Sequence, residues 1–344
     1  MSKKLKEENT ENVLSEFVNY WNCWHEEWLK LVNPKQKKIK GWIIPKKKID
    51  FAATEKKMNG SKKKKDGTFK EVLFKKKIEI FRAIPEPHWI HNDLLDNIHP
   101  PKAVFININP GPPKFYHLRP DNHQDFFKNN KKEKNNNEIK PLINWIQLYE
   151  DKGSYSNFIS ALIVKYSEST DFWHYKNRVQ WLNDYNTNNK ATIKDIATFE
   201  LTPWHTNAVS EIKKEWFHDS AITDYIMKPA ICLAKKIDGL LKNRIISRGK
   251  RDEWVKLFSS QKLKKEWKKY EDCITFGGEG PNSVYYTVIF YNKQEKVYFI
   301  NFSGPQTMKL PKLDKQTKIY YGSNVCNIIE LLNNPCKYIK TDKP

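Results

Sequence analysis

Apolar residues in the first thirty positions recur at steps of three and four: Val13, Leu14, Phe17, Val18, Trp21, Trp24, Trp28 and Leu31. That spacing lines one face of an α-helix, so an amphipathic helix is expected here, ending before Pro34. Between 35 and 80 the pattern breaks into "KGWII", a Lys-rich "EKKMNGSKKKKDG" and "FKEVLFKKKIEIF", which reads as a basic hairpin or loop laid on the main body. From Pro101 the rhythm changes. Short apolar runs at 103–109, 197–203 and 243–248 read as strands, each followed by a helical pattern: "PLINWIQLYEDKGSYSNFISALIVKY", "DSAITDYIMKPAICLAKKIDGLL" and "DEWVKLFSSQKLKKEWKKY". Near the end "SVYYTVIFY", "NKQEK" and "VYFINF" read as a hairpin whose second strand completes the sheet. Residues 122–140 form a polar, low-complexity insertion, and no internal repeat is present.

Alternation of strands and helices builds a parallel sheet with helices on its faces. The expected fold is therefore α/β: a three-layer α/β/α sandwich around a central, mostly parallel sheet. The division expected along the chain is a helical and basic extension over 1–83, the α/β/α domain over 84–311, and a tail over 312–344 that packs on it. Parallel sheets bind ligands beyond the carboxyl ends of their strands. This singles out Asn109-Pro110-Gly111, Pro203-Trp204-His205 and Ser303-Gly304-Pro305, which would gather on one edge.

Charge adds a partner. In 344 residues, 61 Lys and Arg face 40 Asp and Glu, a net charge of +21, concentrated in lysine runs such as 62–65 and 75–77. A polyanion, DNA above all, is the expected partner. The five cysteines (Cys23, Cys232, Cys273, Cys326, Cys336) are scattered without a C-x-x-C pair, as expected of reduced thiols in a cytoplasmic protein. No apolar run is long enough for a membrane span. "GGEGPN" at 277–282 lacks the ending of a phosphate loop, and His117, Asp121 and His123 match no standard metal spacing, so neither metal nor cofactor is expected.

The motifs carry a resemblance. "NINPGPP" resembles the first active-site motif of the uracil-DNA glycosylase superfamily, in the mismatch-specific and single-strand-selective branches that read G-I/M-N-P-G. "IPEPHWI" and "FELTPWHTN" are similar to the opening segment and middle strand of bacterial members. "FINFSGPQTMKLP" stands where the last motif, usually H-P-S-P with a DNA-inserting loop, is expected. The resemblance covers about Ile84 to Pro311. It implies a monofunctional DNA glycosylase that flips a nucleotide out of DNA, hydrolyses its N-glycosidic bond and leaves an abasic site.

On that resemblance Asn109 holds the attacking water, a role suited to an amide that cannot titrate but can accept the water's hydrogen bond. Pro110 fixes the backbone, and Gly111 allows close approach of a phosphate or base. Phe115, Tyr116 and Trp204 are placed to meet the extruded base. Ser303, Gly304, Gln306 and Lys309 would contact DNA, with Met308 and Leu310 as wedges. Three departures matter. Asn107 replaces a glycine and faces the same side as Asn109, sharing the water or narrowing the pocket. Glu200 replaces a base-reading Asn; as an ionised carboxylate it only accepts, which favours the exocyclic amine of a modified cytosine. Phe302 replaces the last motif's His, leaving His205 or Ser303 to assist the departing base. Some superfamily members remove modified cytosine from phage DNA, so antiviral defence is the implied setting. Uracil excision in repair, and a non-catalytic nucleic-acid-binding module on the same scaffold, are the other readings.

Overall fold

The computed structural model describes residues 2–30, 36–45, 48–50, 77–79, 84–108, 110–111, 151–166, 173–185, 190–206, 219–249, 251–259, 263, 266–276, 284–303, 310–313, 318–321 and 324–335. The chain opens with α1 (Ser2–Leu29), then two short antiparallel pairs, β1 (Lys38–Ile39) with β2 (Trp42–Ile43) and β3 (Lys48–Asp50) with β4 (Lys77–Glu79). Next come β5 (His88–Trp89), α2 (Asn92–Leu95), β6 (Ala103–Asn107), α3 (Tyr155–Tyr166), α4 (Trp173–Tyr185) and β7 (Ile196–Glu200). They are followed by α5 (Asp219–Ile222), α6 (Lys228–Lys236), β8 (Arg244–Arg248) and α7 (Arg251–Phe258). The chain finishes with β9 (Trp267–Phe276), β10 (Val284–Asn292), β11 (Val297–Ser303), β12 (Lys318–Tyr321), β13 (Asn324–Asn327) and α8 (Ile328–Asn333).

Nine strands form one mixed sheet in the order β13-β12-β9-β10-β11-β8-β6-β7-β5. Its six-strand centre is mostly parallel: β11–β8, β8–β6 and β6–β7 are parallel, while the hairpin β10–β11 and the β5–β7 pair are antiparallel. Parallel register puts the ends of β6, β7, β8 and β11 on one edge. Helices cover both faces. The Trp181 ring of α4 lies against Phe105, and Trp254 of α7 meets Phe299, which register places on the opposite face.

Three boundaries differ from the sequence reading. The helical pattern expected over 252–270 gives way at Trp267: α7 ends at Phe258, Leu263 and Glu266 are still helical, but Trp267–Phe276 is β9, hydrogen-bonded to β10 on one side and β12 on the other. That backbone ladder with residues distant in sequence outweighs local helical spacing. The segment after 311 supplies β12 and β13 to the sheet and buries Ile328, Leu331 and Leu332 of α8 in the core. The N-terminal segment is no appendage either. Leu14, Phe17, Trp21, Trp24 and Trp28 of α1 are all buried in the sheet's own core, where Phe17 meets Phe199 edge-on and Trp24 lies against Trp204. The paired β3 and β4 form the stem expected of a basic hairpin; its Lys-rich tip lies outside the described residues.

One local feature shows how α1 is keyed in place. A π-helical turn, Thr223–Met227, joins α5 to α6, and Pro229 follows it. Proline has no N–H to give the carbonyl four residues back. That carbonyl, Tyr225 O, accepts instead from the Trp21 indole Nε1 at 3.2 Å. Among the described residues no helix is long and apolar enough to cross a membrane.

Candidate functional site

The segments that follow β6 and β7 keep pairing beyond the strands. Leu201 N donates to Asn107 O (2.9 Å), Thr202 N to Ile108 O (3.2 Å) and Thr206 N to Gly111 O (3.1 Å). On the other side Glu200 N donates to Pro87 O and Glu86 N to Pro203 O. Residues 200–206 are thus held between Asn107, Ile108 and Gly111 on one side and the 84–87 segment on the other. His205 completes the clamp. Its Nδ1 lies 2.9 Å from Gly111 O and its Nε2 2.9 Å from Ile84 O, with the ring buried. A neutral imidazole donates to one such carbonyl and an imidazolium to both. Either way the ring is committed to backbone, not presented as the free donor expected from the sequence.

Gly111 has φ +80°, a left-handed conformation that costs a side chain, and among the described residues other than its chain neighbours no atom lies within 4 Å of where a Cβ would stand. The glycine is needed for backbone shape. Gly111→Ala is expected to lower stability by about 1–2 kcal/mol, read as a shifted urea midpoint. An unchanged midpoint would remove the need for this conformation.

At the carboxyl end of β6, Asn107 lies in register with Glu200 of β7. Above them Arg178 of α4 donates from Nη2 to Asn107 Oδ1 (2.7 Å) and from Nη1 to Thr198 Oγ1 (2.7 Å). Its guanidinium lies 4.9 Å from the Phe105 ring centre and 5.2 Å from that of Tyr175. Arginine only donates, so the Asn107 carbonyl oxygen must face it and the amide nitrogen must turn to Glu200. Asn107 Nδ2 indeed donates to Glu200 Oε1 at 2.5 Å. The other carboxyl oxygen, Glu200 Oε2, is buried and has no hydrogen-bond partner among the described residues.

Burial pushes the Glu200 carboxyl up to about 8, and Glu86 adds to this; the Asn107 hydrogen bond, Arg178 and Arg248 pull the other way. Burial prevails because both described guanidinium hydrogen bonds of Arg178 go to Thr198 and Asn107 rather than to the carboxylate. Burial likewise lowers Arg248, to about 10, with repulsion from Arg178 assisting. Near neutral pH Glu200 is therefore chiefly the neutral acid. The expectation of an acceptor-only carboxylate is corrected on that point.

Of the other predicted residues, Trp204 is buried against Trp24 of α1 and belongs to the core, not to a base-stacking surface. Leu310 is half-buried and packs on the same core, which ties down that candidate wedge. Phe302 is buried, and β11 carries Ser303 to the common edge. Asn109, Phe115, Tyr116, Gly304, Gln306, Met308 and Lys309 lie outside the described residues. Sequence reading missed Arg178. Its signal was present: Tyr175, Arg178, Trp181 and Leu182 share one helical stripe, and a lone arginine among buried rings must be paired to be tolerated. Among the described residues no group of three or more His, Cys, Asp or Glu is arranged to hold a metal ion.

Fold and site define a mixed α/β protein with a buried Arg–Asn–Glu chain at the carboxyl edge of its parallel strands. No protein-family model, curated protein or solved structure matches the chain.

Proposed function

We propose that the protein is a monofunctional DNA glycosylase that hydrolyses the N-glycosidic bond of a flipped pyrimidine, with a modified cytosine as the preferred base and uracil as the alternative. The observation that carries this reading is the Arg178–Asn107–Glu200 chain at the carboxyl end of β6 and β7, which leaves one buried carboxyl oxygen without a hydrogen-bond partner among the described residues. The chemistry needs a water held at the sugar and polar groups at the departing base, and no metal. Asn109 is assigned the water. Glu200, as a neutral acid with Oε1 taken by Asn107, offers an O–H from Oε2. Cytosine presents a basic ring nitrogen, N3, to such a donor, whereas uracil presents an N–H there. That asymmetry is the reason for preferring cytosine. The net charge of +21 suits a DNA substrate, and a bulky cytosine of the kind phages carry suits a defence role.

Duplexes containing cytosine, a 5-substituted cytosine or uracil, incubated in parallel, should release free base from the 5-substituted cytosine. Asn109→Ala should lower that release at least 100-fold while DNA affinity and its salt dependence persist. Binding without release from any duplex would leave the nucleic-acid-binding reading in its place. Release of uracil alone would overturn the choice of base.

A further inference from the structure

We infer that Glu200 is the acid that protonates the departing base, and that Arg178, acting through Asn107, decides which carboxyl oxygen carries the proton. This rests on the glycosylase reading and deepens it: the O–H that reads the base also hands its proton over as the base leaves. The last motif has Phe302 where a polar donor is expected, and that ring is buried. Both nitrogens of His205 face backbone carbonyls. Glu200 Oε2 is a buried carboxyl oxygen at the carboxyl end of the parallel strands with no hydrogen-bond partner among the described residues.

The orientation follows from donor counting. Arg178 Nη2 holds Asn107 Oδ1, so Asn107 Nδ2 must donate to Glu200 Oε1. An oxygen that accepts from an amide is the carbonyl oxygen of a carboxylic acid. The acid proton is thereby placed on Oε2. Two aromatic rings, Phe105 and Tyr175, fix the guanidinium that starts the chain. Arg178 is a positioning residue and Glu200 the catalytic one.

The step balances without a co-reactant. The C1′–N bond breaks and its electron pair goes to the base. Glu200 Oε2 gives its proton to the base's ring nitrogen or carbonyl oxygen, so a neutral base departs. Water adds to C1′, and the proton it loses returns the carboxylate to the acid through solvent. A pyrimidine with an exocyclic amine is a poorer leaving group than uracil, so it gains most from protonation. The groups that face the carboxyl are Asn107 on β6, Arg178 and Tyr175 on α4, Arg248 on β8 and Glu86 before β5. With burial they hold the acid at about 8, so it is protonated at neutral pH and able to donate.

The test is single-turnover base release by the full chain from pH 6 to 9.5, using the released base and its 5-fluoro analogue, a better leaving group. In the wild-type protein, release of the ordinary base should fall as pH rises past about 8, and release of the fluorinated base should not. Glu200→Gln keeps a donor in the place of Oε2 and so preserves hydrogen bonding, but it cannot transfer a proton. It should lose about 10²- to 10⁴-fold in rate with DNA affinity unchanged, lose the alkaline limb, and recover at least tenfold on the fluorinated base. Arg178→Met removes a positive charge that favours the carboxylate, so its limb should move to higher pH, and Arg178→Lys should restore it. If the methionine variant does not fold, the lysine variant is compared with wild type directly: its charge should leave the limb in place while loss of the two-pronged guanidinium hold on Asn107 and Thr198 lowers the rate, and an unchanged rate would overturn the positioning role. A Glu200→Gln variant within threefold of wild type, or equally impaired on both bases, would overturn the acid role while leaving the glycosylase reading intact. No release by the wild-type protein from any duplex would overturn both.

Discussion

Glu200→Gln is expected to stabilise the protein, by an amount that grows with pH. In the folded chain burial raises this carboxyl to about 8, against an ordinary value of 4.5. Between those values the folded state holds a proton that the unfolded state has released, so wild-type stability falls as pH rises. The stability associated with the neutral acid is fully present below about pH 4.5 and is lost by about pH 8. At about 1.4 kcal/mol per pH unit the whole window is worth on the order of 5 kcal/mol. An amide has no proton to lose. Its oxygen can accept from Asn107 as Glu200 Oε1 does, and its nitrogen takes the place of Oε2. Denaturant midpoints of the two proteins should coincide near pH 4 and separate steadily to about pH 8, with the variant the more stable. A constant difference across that range would show that the carboxyl is not held neutral. A group that destabilises the fold at neutral pH where a neutral isostere would not is one whose retention calls for a functional reason, and proton donation supplies one.

His88 should act in the opposite direction on the acid side. It is fully buried on β5 among Phe17, Trp21 and Tyr155, and neither ring nitrogen has a hydrogen-bond partner among the described residues. Burial lowers it from 6.5 to about 3. The unfolded chain binds this proton first, so the contribution of the neutral ring is complete above pH 6.5 and is lost as pH falls towards 3, again on the order of 5 kcal/mol. His88→Phe keeps a ring in the aromatic cluster and removes the titration. Its stability should decline less steeply than that of wild type between pH 6.5 and 3, measured as thermal midpoints at closely spaced pH values. Parallel acid limbs would place the responsible proton elsewhere. Together the two residues give a stability maximum between about pH 4.5 and 6.5.

Much of the scaffold was legible along the chain. The runs at 103–109, 197–203 and 243–248 correspond to β6, β7 and β8, and "SVYYTVIFY" with "VYFINF" to the β10–β11 hairpin, because buried strands and tight turns carry strong local signals. The steps between Leu14 and Trp28 marked one helical stripe. The first four residues of β9, 267–270, were misread as the end of a helix because they continue its spacing, and only their pairing with β10 in the sheet makes them strand. The two-residue β5 is too short to carry a period at all. Glu200 and Asn107 were visible as departures from a motif, but not as partners, since they lie 93 positions apart.

From its order of residues alone this protein determined its N-terminal helix, the central parallel strands and the late hairpin, the polar residues that follow those strands, and its large positive charge. Those properties depend on neighbours a few positions away or on simple sums. Tertiary structure decided the rest: that α1 is core, that His205 and Trp204 are structural, and that Arg178 reaches across to Asn107. It also decided that burial raises the Glu200 carboxyl well above its ordinary value. Protonation depends on how much water and charge surround a group, and that is set by elements which meet only when the chain has folded.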